Sequence, residues 1–526
     1  VKVAIDLTPI RTTGEMGGAF QLVVELIKGL AQTRKDEQYL LLTADWNHDF
    51  FEQYEKYGLQ RVCVTTKPIA ASKKRLIKRV IRKVFKLLNI NINIGSFRRR
   101  RLPLLKSKGV DVLFCPMSAI NYKEPGIPTV SLIYDMQHEY YPQFFAGEEL
   151  EHRRTFYRGI KEMADYVTCI SQFTRNTFIE KLNFPSDKAE VIYISIQDRL
   201  QPDHSTSAEI VNRLELKGKR FAYYPANYWN HKNHHMLLVA FSMFLRQYPE
   251  LDLYLVLTGS LLDEKDKFYD DLRRMGVNEK VHHFGYVKEN EVAVLMSEAE
   301  FLIFPSLFEG FGIPVAEAMS AGTPVLCSRN TSLPEVGGEA ALYFDARRPD
   351  EMVEAMYLVL TDNHMREKLI QRGHEQVKQF SNENMVNQYR NLLTVAANNK
   401  SSKGTYISGV HQDNWAGKDV LISFGDIQDK SILYAEIVVP AFVPYRNGKL
   451  KVIVNGKRKS YKVIAGESLV IKEELSIGAS EISFVFYSSF CPKDLGMPDE
   501  RELAVQIMKI HLLNKQTQEV IKALHG

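Results

Sequence analysis

FLIFPSLFEGFGIPVAEAMSAGTP, residues 301–324, reads as a buried strand, a turn and a helix in immediate succession. Phe301 to Phe304 is a continuous apolar run, the pattern of a strand covered on both faces. Pro305 ends it, and Gly310 and Gly312 permit a tight turn. Pro314 suits the first position of a helix, where a missing N–H breaks no bond. Gly322 then stops that helix. The product is a helix N-terminus with open amides at a strand's carboxyl end, a place that favours a phosphate and whatever is attached to it. Glu309 stands before the helix and Glu317 about one turn into it. A carboxylate accepts from two vicinal hydroxyls at once, such as ribose O2 and O3. The plainer alternative is an ordinary strand–turn–helix with two surface glutamates.

The same alternation extends outward on both sides. Apolar strand-like runs at 3–7, 39–43, 62–65, 110–115, 129–134, 166–170 and 191–194 are separated by longer helical patterns. A second series lies at 221–224, 253–257, 282–286, 301–304, 324–327 and 341–344. Continuous apolar strands between helices predict parallel sheets with both faces covered. Thirteen strands exceed one comfortable sheet, so two Rossmann-like domains facing a cleft are expected. The polar stretch 197–219 marks the break, giving domains 1–198 and 199–397. A last helix, 382–397, is expected to pack back on the first domain. Residues 398–404, NNKSSKG, read as a linker. Beyond it the runs are short and alternating, with Asn455-Gly456 as a hairpin turn signal. An all-β sandwich or jelly-roll is expected over 405–526.

The bulk numbers fit that reading. The 526 residues carry 45% hydrophobic and 25% charged side chains and a formal charge of +5, ordinary values for a globular chain. Five cysteines are few and odd in number; Cys63, Cys115, Cys169 and Cys327 sit in strand-like runs and read as reduced core residues. No apolar run reaches the roughly 18 residues of a membrane span, and Val1–Asp6 already alternates as a strand. The expectation is a cytoplasmic protein, with a peripheral contact at the inner face of the cytoplasmic membrane left open.

Glu309 and Glu317, separated by seven residues inside EGFGIPVAEAMSAGTPV, resemble the E-x7-E motif of retaining glycosyltransferases, specifically glycosyltransferase family 4 with its GT-B fold. The resemblance continues through Ser332-Leu-Pro-Glu335-Val-Gly337-Gly338 to Asp345 and covers roughly residues 1–395. It implies that Glu317 binds the donor ribose and that Glu309 lies beside the transferred sugar. It also implies that the backbone of Phe311, Gly312 and Ile313 approaches sugar and diphosphate. Lys232-Asn233 looks like the family's Lys-Asn, which neutralises the departing diphosphate. Where many relatives carry an arginine beside or five places before that lysine, this chain has His231 and Asn227. They are expected as donor-binding substitutes, His231 supplying charge at lower pH. His234 and His235 point in different directions at a helix start, so no metal is expected.

On the acceptor side, Gly17 and Gly18 open the first helix and match the loop that lies against diphosphate and acceptor in the family. Tyr134-Asp135-Met136-Gln137-His138 ends another strand. Tyr134 occupies the place of a frequent family histidine, while Asp135 and His138 remain as candidates to orient the acceptor hydroxyl. The plainer readings are a helix cap for Asp135 and a loop residue for His138. The resemblance further implies front-face substitution with retention and no cofactor beyond a GDP- or UDP-linked sugar, GDP-mannose foremost. The acceptor class is a glycan or lipid-linked oligosaccharide.

Between Lys56 and Val110 there are 17 Lys or Arg and no Asp or Glu. Within 73–101 the apolar residues fall on one helical face, a pattern suited to an anionic membrane surface. A solvated basic face on a core-packed helix is the alternative, and nothing beyond charge suggests nucleic acid. Residues 490–503 resemble a segment of β-domains appended to polysaccharide-assembly glycosyltransferases, which suggests other assembly proteins as partners. In that domain Tyr406, Trp415 and Tyr445 read as core or interface residues in preference to a sugar-stacking surface. Two rival functions stand beside transfer: a catalytically silent GT-B glycan-binding or scaffold protein, and another GT-B enzyme such as an epimerase or phosphorylase.

Overall fold

The structure, a computed structural model, describes residues 1–11, 17–33, 36–65, 104–124, 126–195, 200, 204–261, 264–399, 406–410, 414–427, 429–492 and 503–525. The basic segment 73–101 lies outside the described residues, as do Gly14–Met16.

Seven strands form the first sheet: β1 (Lys2–Asp6), β2 (Gln38–Ala44), β3 (Gln60–Thr65), β4 (Val112–Cys115), β5 (Thr129–Ile133), β6 (Tyr166–Cys169) and β7 (Ala189–Val191). Their order is β3-β2-β1-β4-β5-β6-β7, with every pairing parallel. Six strands form the second: β8 (Arg220–Pro225), β9 (Leu253–Thr258), β10 (Val281–His283), β11 (Phe301–Phe304), β12 (Val325–Ser328) and β13 (Ala341–Phe344). They run β10-β9-β8-β11-β12-β13, again all parallel. β4, β5, β6, β11 and β12 are buried along their whole length, which is why each reads as an unbroken apolar run. In both sheets the chain direction of travel reverses in the middle, between β1 and β4 and between β8 and β11. Such switch points leave a crevice outside the strands' carboxyl ends.

The helix His204–Arg213 belongs with the second unit, since Thr206 Oγ1 accepts from Asn290 Nδ2 at 3.0 Å. The helix Asn382–Asn398 crosses back to the first domain. There Arg390 Nε lies 3.0 Å from a Glu37 carboxylate oxygen, and the Tyr389 ring is 5.2 Å from that of Phe114 in β4. Gly29 permits this crossing, because a Cβ there would collide with Val386.

Among the described residues the C-terminal domain has nine strands: β14 (Tyr406–Val410), β15 (Trp415–Ile427), β16 (Ser431–Val438), β17 (Asn447–Val454), β18 (Lys457–Ile464), β19 (Ser468–Leu475), β20 (Gly478–Phe486), β21 (Val505–Asn514) and β22 (Val520–His525). An all-β sandwich or jelly-roll was expected; the domain is all-β, and its strands belong to one antiparallel sheet with the path β18-β17-β20-β15-β21-β16-β19, β14 pairing with β15 and β22 with β21 off that path. The long β15 makes this continuous: Asp419–Phe424 pair with β20, and Trp415 and Ala416 pair with β21. The sheet curls around a single core, and its two end strands meet through side chains. Glu473 of β19 receives Lys459 Nζ and Tyr461 Oη of β18, both at 2.7 Å. Trp415 packs against Phe442 and Phe490, and Tyr445 donates to the Ala504 carbonyl, so both serve the interior of the domain. Among the described residues no helix is long and apolar enough to cross a membrane.

Gly29→Val is expected to destabilise the protein by about 1–3 kcal/mol through overpacking against Val386. Urea unfolding followed by circular dichroism measures it; an unchanged midpoint would show that the crossing helix does not rely on this close approach.

Candidate active site

β8 and β11 are neighbours at the second switch point, and the loops leaving them are tied to one another. After β8, the Ser260 amide donates to Asn227 Oδ1 at 2.8 Å, which fixes the start of the turn. Asn233 ends the turn in the left-handed region, φ 60°, a conformation asparagine tolerates better than most side chains. Its Nδ2 donates to the Pro305 and Ala346 carbonyls at 3.2 and 2.7 Å. The Leu307 amide donates to the His231 carbonyl at 2.7 Å, and Tyr224 Oη to the Lys232 carbonyl at 2.7 Å. With both loops held, Lys232 Nζ lies 2.6 Å from Glu309 Oε1. Only 18% of the lysine side chain and 12% of the glutamate side chain are exposed.

The loop after β11 is pinned from its other side by residues following β12. Thr331 Oγ1 accepts from the Glu309 amide at 3.0 Å; Ser332 Oγ donates to the Glu309 and Phe311 carbonyls at 3.0 and 2.9 Å. Thr331 was not singled out in the sequence, and Ser332 was named there only as the first residue of the segment that resembles the family. Gly312 caps the helix Ile313–Ser320 with φ 102°, which places Pro314 at its second position, not its first. That proline still breaks no bond, because the early amides of a helix have no partner within it. Glu317, on this helix, is 3% exposed and bears on the buried Tyr223 phenol of β8.

The first domain meets this loop directly. A Cβ on Gly310 would collide with the Tyr134 carbonyl at the end of β5, and one on Gly18 would lie 2.7 Å from Ile313 Cδ1. Gly17 and Gly18 open the helix Gly17–Gln32 of the first domain. The glycine-rich start of the first helix and the donor-side helix thus approach across the cleft. Asp135 Oδ1 accepts from the Gln137 amide at 3.1 Å. Burial pushes the Asp135 carboxyl pKa upward; the Gln137 bond, Arg153 and His138 oppose this, and nearby Glu309 adds to the rise. Asp135, Glu309 and Lys232 therefore share one region, with Asp135 contributed by the opposite domain.

Two histidines are largely withdrawn from water. His138 is fully buried, stacked on Tyr157 with ring centres 5.0 Å apart and with Nε2 3.4 Å from Glu139 Oε1, and burial lowers its pKa. The short helix Gln137–Tyr140 turns its ring inward. His231 gains charge only at low pH, because burial, and then Lys232 beside it, bring its pKa down to about 4. His234 is buried with its ring 4.6 Å from that of Tyr228 and 4.9 Å from that of Tyr224, while His235 Nδ1 lies 3.5 Å from Asp271. The adjacent pair does not converge. Tyr134, in the frequent histidine's place, is half-buried and donates its hydroxyl to the Pro116 carbonyl at 2.8 Å.

A histidine held neutral in the fold but charged when unfolded destabilises the protein as pH falls. The effect of His231 sets in below the unfolded value near 6.5 and is complete below about 4. Wild type is therefore expected to lose more thermal stability between pH 7 and pH 4 than His231→Gln. Paired melting curves test this; identical pH slopes would show that His231 is not held neutral by its surroundings.

Residues 16–198 match the family model Glycosyltransferase Family 4, and residues 207–376 match Glycosyl transferases group 1. Over 248 residues the chain is 29% identical to O-antigen chain mannosyltransferase B of Escherichia coli, a match covering 47% of this chain and 65% of the relative. It is 26% identical over 223 residues to O-antigen chain mannosyltransferase RfbU of Salmonella typhimurium, covering 42% and 56% respectively. The chain thus spans 65% and 56% of the length of these two relatives. Among solved structures, Anabaena Alr3699/HepE in complex with UDP and glucose superposes with a TM-score of 0.52 at 15% identity, covering 75% of this chain and 99% of that one. Sucrose-phosphate synthase from Thermosynechococcus elongatus gives 0.55 at 17% identity, with coverage of 75% and 99%. These two likenesses carry the fold of the paired domains. With both family segments facing each other across the Lys232–Glu309 cleft, the chain belongs to glycosyltransferase family 4, with a GT-B fold and an appended C-terminal β-domain.

Proposed function

We propose that this glycosyltransferase moves a hexose, mannose foremost, from a GDP- or UDP-linked donor to a glycan or lipid-linked glycan, with retention and without a metal. The observation that carries the reading is the Lys232–Glu309 pair, 2.6 Å apart at the β8/β11 switch point. A diphosphate entering there competes for the ammonium and frees the carboxylate for sugar hydroxyls. As the bond from sugar C1 to the β-phosphate oxygen breaks, negative charge grows on the diphosphate, where a fixed ammonium in a shielded site stabilises it strongly. The acceptor oxygen bonds to C1 from the same face, and its proton passes to the leaving phosphate oxygen. Glu317 is assigned to the donor ribose. Asn227 and His231 serve the donor side by holding the β8 loop. Phe311, Gly312 and Ile313 offer backbone to sugar and diphosphate, and Gly17 and Gly18 do so from the opposite wall. Asp135 orients the acceptor. His138 acts only by supporting the Asp135 loop.

Mannose and a polysaccharide acceptor are favoured by the two relatives named for O-antigen mannosyl transfer. The basic segment 73–101 suits attachment to an anionic membrane surface, at the inner face of the cytoplasmic membrane, and the β-domain suits contact with other assembly proteins. A silent GT-B scaffold is the rival reading. It draws on Tyr134, which is half-buried and bonded to Pro116, and on His231, which lacks charge near pH 7.

Incubation with GDP-mannose and UDP-hexoses, with NMR of the product's anomeric proton, distinguishes the two. Transfer is expected to give an α-linked product from an α-linked donor. Lys232→Ala and Glu309→Ala are each expected to lower kcat about 10²–10³-fold. An inverted anomer would refute retention; nucleotide binding without turnover would favour the scaffold.

A further inference from the structure

Phe308 is 2% exposed although it sits in a loop at the mouth of the cleft. Its ring neighbours come from the other domain: Tyr140 at 5.7 Å, Phe173 at 5.9 Å and Tyr141 at 6.3 Å between centres. Tyr140 and Phe173 also contact one another at 5.3 Å, so the ring enters a formed aromatic cage. We propose that Phe308 is a positioning residue, which fixes Glu309 relative to Asp135 by seating in this cage and so assembles the transfer site only when the two domains close. The inference rests on the transferase reading above and adds a residue that the E-x7-E resemblance does not assign.

The backbone around Glu309 is tied to the first domain on both sides. Tyr141 Oη donates to the Leu307 carbonyl at 3.2 Å, and Arg347 donates to the same phenol oxygen at 3.1 Å. Thr174 Oγ1 donates to the Gly310 carbonyl at 3.3 Å, where Gly310 itself leaves no room for a side chain. Glu309 thus lies between anchors at 307, 308 and 310. Cage residues Tyr140 and Tyr141 follow Asp135 by five and six positions on one segment, so the ring that seats Glu309 also reports the position of Asp135. A second tie closes the same edge. The Glu335 carboxylate accepts from the Gln172 and Phe173 amides at 2.5 and 3.1 Å, at the N-terminus of the helix Gln172–Leu182. An anion there is favoured by the helix dipole and open amides, and Phe173 is itself a wall of the cage.

An apolar ring in water opposes opening, and a small displacement of a reacting group lowers turnover steeply. The test uses the full chain with Phe308→Ala and Phe308→Leu, the latter keeping most of the apolar volume. GDP affinity of Phe308→Ala is expected to stay within about threefold of wild type. Its kcat for GDP release from GDP-mannose, with water as acceptor, is expected to fall about 100-fold, with Phe308→Leu recovering most of it. Amide exchange at Gln172, Phe173 and 307–310 is expected to rise in Phe308→Ala. The exchange measurement needs no turnover, so it decides the inference even if wild type leaves GDP-mannose intact and the donor assignment fails. Wild-type exchange at those amides in Phe308→Ala would overturn the proposal. Equal losses of GDP affinity and kcat would also overturn it, since they mark a residue of the donor pocket or the fold.

Discussion

A lysine and a glutamate taken largely out of water must satisfy one another or lose more in desolvation than they gain. Lys232 and Glu309 do so at 2.6 Å, from loops that leave adjacent strands. The arrangement depends on β8 and β11 being neighbours at the point where the strand order turns, because only there do two strand-end loops face one crevice. The surrounding hydrogen bonds serve to hold those two loops. Asn233 ties the β8 loop to the Pro305 and Ala346 carbonyls, and Thr331 and Ser332 hold the β11 loop from behind.

The second constraint is the close approach of the two domains. Gly310 beneath the Tyr134 carbonyl and Gly18 against Ile313 allow backbone to meet backbone or side chain with nothing between. The helix Asn382–Asn398 provides the third tie, through Arg390 with Glu37 and Tyr389 with Phe114. Opposite walls of the cleft therefore have a fixed relation in this structure. The Glu309 carboxylate comes near enough to help raise the pKa of Asp135, although the two are far apart in the chain. Under the proposed reaction, donor and acceptor meet at that seam.

The β-domain is built on another principle. Its inward side chains form one core beneath a sheet whose hydrogen-bonded path ends at β18 and β19. Glu473 closes the gap by receiving both Lys459 and Tyr461, so side chains complete what the backbone ladder leaves open.

The sequence alone determined the thirteen parallel strands and their division into two sheets, since strands covered on both faces must be apolar throughout. It also determined the strand–turn–helix at 301–324, since glycine and proline act locally, and it marked Lys232, Glu309 and Glu317 through a patterned resemblance. It could not show that the nine β-domain strands join in one sheet, because alternation records which side is buried and not which strand lies alongside. Nor could it show that His138 turns inward against Tyr157 or that His231 is held neutral, because burial and neighbouring charge arise from packing. Phe308 carried no reading from the sequence. Only the tertiary structure put its ring among Tyr140, Tyr141 and Phe173, because such a contact joins positions that no local spacing relates.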